Sequence, residues 1–190
     1  MNFGIKRLPA TGNGRRYHLY DKEEQLLLVA DHGSPWLPKD PCKHVRFAKP
    51  DGQPVASLDL PWQENGRKKH KHTSYAIIYD FAVYAIINEY GRSLDGDPLS
   101  LPYYLMEVEG VRWLVCGGCE QDLFLGFYDD VPDGLAVFTE PQDATLPEPI
   151  GRVQSAQTVH DFQIKLPVDS FSQASLLSLA LIFLVDRYTC

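Results

Sequence analysis

Apolar and polar side chains alternate along most of the chain, and a period of two marks strands buried on one face. In residues 160–166, Phe162, Ile164 and Leu166 share one face, while Asp161, Gln163 and Lys165 share the other. Val111, Trp113 and Val115 alternate with Arg112 and Leu114; Tyr104, Met106 and Val108 alternate with Leu105, Glu107 and Glu109. Residues 73–80 and 82–89 carry Ile, Val and Tyr on both faces, which predicts the most buried strands. Asp51-Gly52, Glu109-Gly110 and Asp133-Gly134 can supply the positive φ of hairpin turns, and residues 21–24 form a polar connector. Pairing the runs predicts hairpins of 16–20 with 26–31, 43–48 with 54–60 and 73–80 with 82–89. Residues 102–109 then pair with 111–116, 122–129 with 134–139, and 149–155 with 158–166. The sum is a mainly β fold of about twelve strands, and closure into an antiparallel barrel removes the edges a meander would expose.

The pattern changes after Pro167. Ser170 and Gln173 have capping-box spacing, and Asp169 suits the positive end of a helix. From Phe171 to Val185 apolar residues surround a helix on every side, interrupted at spacing three by the small Ser172, Ser175 and Ser178. Such a helix needs burial in protein or lipid. Residues 171–185 number fifteen, fewer than the ~20 that span a bilayer, so the expectation is an apolar C-terminal helix enclosed by the strands.

The irregular stretches 33–41, 62–72 and 91–98 read as loops, and no linker divides residues 1–190, which are expected to form a single domain. The formal net charge of −7 disfavours general nucleic-acid binding, which needs broad positive surfaces. Residues 1–7 lack the apolar run of a secretory signal, and Cys42, Cys116, Cys119 and Cys190 are too few for a disulfide framework. A cytoplasmic protein is the expectation, with no transmembrane span.

A strand-rich meander closed by one apolar helix resembles the tubby C-terminal-like superfamily: tubby proteins, phospholipid scramblases and LURP-one-related proteins. The likeness lies in hairpins such as Tyr17-His18-Leu19-Tyr20-Asp21 leading to Leu26-Leu27-Leu28-Val29, and in the ending 179–187. It covers nearly the whole chain as pattern, without a catalytic signature. The resemblance implies a barrel threaded by its terminal helix and a binding role directed at phosphoinositides or other anionic lipid head groups.

Arg67, Lys68, Lys69, His70, Lys71 and His72 form the most concentrated charge, expected in the loop before residue 73. Four fixed cations there would attract a phosphorylated head group, and the histidines would add charge below about pH 6.5. The alternative is a solvated loop that keeps a strand from pairing with other molecules. Asp129, Asp130, Asp133, Gly134 and Glu140 echo a calcium loop, but Val131 stands where a ligand is required and no helices flank it. Cys116-Gly117-Gly118-Cys119 is expected at a hairpin end, where zinc would need further ligands such as Cys42 and His44. No metal, cofactor or catalytic residue is assigned. His160 shares the Phe162 parity and reads as a core histidine. Three functional classes remain: a non-enzymatic module for an anionic phospholipid or phosphorylated ligand, an interaction scaffold, and a metal-dependent hydrolase assembled from distant residues.

Overall fold

In a computed structural model of the chain, the described residues are 1–9, 14–32, 45–59, 72–90, 103–119, 123–128, 148–156, 159–166 and 171–186. The strands in chain order are β1 (Asn2–Leu8), β2 (Arg16–Tyr20), β3 (Leu26–His32), β4 (Val45–Ala48), β5 (Pro54–Asp59) and β6 (His72–Tyr79). They continue as β7 (Ala82–Tyr90), β8 (Tyr103–Val108), β9 (Val111–Cys119), β10 (Leu123–Tyr128), β11 (Gly151–Ser155) and β12 (Phe162–Lys165). The helix α1 covers Ala174–Val185. Every strand pairs antiparallel with its sequence neighbour, and β1 pairs with β12, so the sheet closes on itself.

The closing strand is the one the pattern left out. Phe3 and Ile5 point into the barrel, but Gly4 between them and Lys6-Arg7 after them weaken the alternation. Residues 134–139, expected to pair with 122–129, lie outside the described residues. Both edges of β10 are already occupied, by β9 and by β11, so β11 takes the place expected for that partner. The tight turns agree with the sequence: Gly52, Glu109 and Gly110 all have positive φ (88°, 53° and 79°).

The helix runs through the barrel. Of its residues all but Ser175 are buried, and Leu176 to Val185 have no exposed surface beyond rounding. It is one turn shorter than the apolar run suggested, because Phe171 lies before it and packs its ring 4.6 Å from Trp113. Gln173 occupies the N-cap position without a side-chain cap bond; its N–H donates to Tyr84 Oη at 3.1 Å instead. Ser170 lies outside the described residues. Among them, no helix is long and apolar enough to cross a membrane.

The two ends of the barrel differ. Around the N-terminal end of α1 lie the short turns 21–25, 49–53, 80–81 and 109–110. At the C-terminal end Asp186, only 8 % exposed, would sit badly at the negative pole of the helix without partners. Arg7 donates to one carboxylate oxygen and Tyr17 Oη to the other, with Arg15 Nη1 3.9 Å away. Burial raises the Tyr17 hydroxyl above its ordinary pKa, while Arg15 and Arg7 oppose the rise. The end of β1 and the start of β2 are thus both tied to the end of the helix. Asp186→Asn should lower the unfolding free energy by ~1–3 kcal/mol, discounted because Arg7 is half exposed. Urea denaturation checks this.

Candidate functional site

Strand register places a polar cleft of about 270 Å³ on the outer wall across β1, β12 and β11. Asn2, Lys165 and Arg152 face one another in consecutive strands, and Gly4, Gln163 and Gln154 form the next row. Outward orientation follows from the pleat, since Phe3, Ile5, Val153, Phe162 and Ile164 fill the interior between them. The β2–β3 turn supplies one rim through Asp21, Lys22 and Glu24.

The cations and anions of this cleft are not balanced. Asp21 is committed to the turn, its Oδ1 accepting from the Glu23 and Gln25 N–H groups at 2.9 Å each. Glu24, held at φ 60°, reaches His160 Nε2 at 3.2 Å, and Lys22 pairs with Glu23 at 3.2 Å. Arg152 and Lys165 stand opposite each other, about 5 Å apart at Cα as paired strand residues are. Neither forms an ion pair among the described residues. Like charges in such a pair repel, and an anion between them removes the repulsion. Asn2, Gln154 and Gln163 add amide donors beside them.

His160 completes the floor in a way that corrects the sequence reading. It is buried, at 7 % exposure, but on the outside of the barrel. Its ring lies over Gly4 and 5.1 Å from the Tyr20 ring; a Cβ at position 4 would come within 2.7 Å of it. Residue 160 precedes β12 in a bend, so the parity that suits Phe162 does not extend back to it. Gly126 repeats the device beneath Tyr128, whose hydroxyl would lie 2.6 Å from an added Cβ. Both glycines give a ring room against the sheet.

Of the basic run, residues 67–71 lie outside the described residues. His72, expected in the loop, begins β6 opposite Tyr90. Strands β5 and β6 lie half-way round the barrel from β11 and β12, so the described anchors of the run do not adjoin the cleft. The aspartate-rich segment 129–140 and the residues Cys42 and His44 also lie outside the described residues.

Cys116 and Cys119 sit within β9, which continues past the expected hairpin end. Three residues of extended strand separate their Cα atoms by about 10 Å, too far for a disulfide or for chelation of one ion without remodelling the strand. Among the described residues no group of three or more His, Cys, Asp or Glu could hold a metal ion. Cys116 packs on the outer wall in a second apolar cluster with Tyr90, Leu105, Leu114 and Tyr128, and burial pushes its thiol up to about 11. The thiolate is therefore scarce at neutral pH, and Cys116 should resist iodoacetamide at pH 8 in native protein yet react in urea. Mass spectrometry of the labelled peptide reads the difference; rapid native labelling contradicts it.

No family model, curated protein or solved structure matches the chain.

Proposed function

We propose that the protein is a non-enzymatic binding module that takes an anionic, phosphorylated group, as on a phosphoinositide or other acidic lipid, against its barrel wall. The observation that carries this reading is the in-register pair Arg152 and Lys165, outward, without counter-ions among the described residues, in a cleft with amide side chains. The bore cannot serve, because α1 and the inward side chains fill it along the helix. A wall of strands is rigid, and cations presented on it lose little freedom on binding. The likeness of pattern to tubby-like, LURP-one-related and scramblase-like proteins supports the same reading and a cytoplasmic membrane face as its place of action. The basic segment 67–72 would add a second positive element.

Co-sedimentation with vesicles of phosphatidylcholine, with and without phosphatidylinositol bisphosphate, tests it. Wild-type protein should bind the acidic vesicles and release them as salt is added. Arg152→Gln with Lys165→Gln should weaken binding at least about tenfold, each lost charge-assisted contact being worth ~1.5–3 kcal/mol. Thermal stability should change little, since both side chains are exposed. Equal binding to neutral vesicles, or no loss in the double variant, refutes the cleft. Loss confined to Lys68→Gln, Lys69→Gln and Lys71→Gln would move the site to the basic segment.

A further inference from the structure

The β6–β7 hairpin ends in a turn made from the wrong residues for its shape. Asp80 and Phe81 have φ 49° and 62°, the left-handed pair of a two-residue hairpin turn in which Asn-Gly is favoured. A phenylalanine there is strained, and Phe81 gains nothing from packing, being fully exposed at 102 %. Val83 and Ile86 of β7, and Val111 at the start of β9, add apolar surface, with Val83 59 % and Val111 49 % exposed.

A cleft of about 340 Å³ adjoins this tip, lined by residues 83–86 of β7 with Glu107, Glu109 and Gly110. It exists because β8 pairs with β7 only from Ala85 onward. Ala82 and Val83, paired with Tyr79 and Ile78 of β6, and Tyr84, bulged out of that register, thus continue past the end of β8 with no strand on their other side among the described residues. The rim is acidic. Asp80, Glu107 and Glu109 form no ion pair among the described residues, including Glu107 with Arg112, which stands opposite it in register. Glu109 lies near enough to help burial raise the Tyr84 hydroxyl.

We infer that this tip and cleft form a docking site for a basic, apolar, extended segment of another protein. The segment adds its backbone along the free edge at residues 82–84, as peptides extend sheets elsewhere. Its lysines or arginines meet Glu107 and Glu109, and its apolar side chains cover Phe81 and Val83. Charge complementarity decides the occupant. An acidic rim repels anionic membranes, and a second copy of this surface would set carboxylates against carboxylates. The site is separate from the Arg152–Lys165 cleft and does not depend on it.

Fluorescence anisotropy with a labelled octapeptide of alternating lysine and valine tests the inference, using alternating glutamate and valine as the contrast. The lysine peptide should bind and the glutamate peptide should not. Phe81→Gly should weaken binding at least about tenfold, as loss of an aromatic anchor does, while raising Tm because glycine relieves the turn. Glu107→Gln with Glu109→Gln should weaken binding and flatten its salt dependence, whereas Glu23→Gln, which removes a charge elsewhere, should leave it unchanged. Equal binding of the two peptides, equal loss with Glu23→Gln, or no loss with Phe81→Gly overturns the inference. So does self-association or vesicle binding that Phe81→Gly removes, because the surface would then have another occupant.

Discussion

Leu181→Asp should leave no folded protein. Leu181 sits mid-helix in the barrel with no exposed surface, enclosed by other apolar residues. The substitution forfeits ~1.5–3 kcal/mol of side-chain burial and introduces a carboxyl group with no partner. Together these approach or exceed the ~5–15 kcal/mol that holds a domain folded. Leu181→Ala, a graded control, should cost ~2–5 kcal/mol and still fold. Circular dichroism and denaturant titration separate the cases. A soluble Leu181→Asp protein with an unchanged melting temperature would mean that the helix does not occupy the bore.

Gly4→Val should destabilise the barrel by ~1–3 kcal/mol or more, as overpacking does. The new side chain must displace the His160 ring, which is wedged against Tyr20 and bonded to Glu24, or push β1 away from β2 and β12. Gly4→Val with His160→Ala should recover much of the loss, because the clash needs both partners. A double-mutant cycle by urea denaturation measures this coupling. Strictly additive losses would show that the ring does not set the limit at position 4.

Legibility of the fold tracks how local each signal is. Hairpins such as Tyr17 to Val29 and Tyr104 to Val115 announce themselves, since alternation and turn residues lie within one short stretch. The buried helix is equally plain, because no surface could accept its all-round apolarity. Gly4 hid β1: the residue that accommodates His160 also breaks the pattern that marks a strand. For the cleft, alternation already set Gln163 and Lys165 outward. Nothing in the sequence placed Asn2 and Arg152 beside them, because that neighbourhood is created by long-range register. Cys116 and Cys119 show the converse, since motif spacing carries chemistry only where the backbone turns, and here it stays extended.

Synthesis runs from the N terminus, so α1 is the last described element to emerge from the ribosome. Until it does, twelve strands face one another across a bore with no core, and β1 waits for β12, more than one hundred and fifty residues downstream. Contacts that distant slow folding, because much chain entropy is lost before any burial repays it. The nascent barrel therefore passes through an open sheet with an apolar inner face, a state prone to aggregation and suited to capture by chaperones. Closure around the helix is expected as a late, concerted step, and ribosome-stalled chains lacking residues 174–186 should remain protease-sensitive throughout.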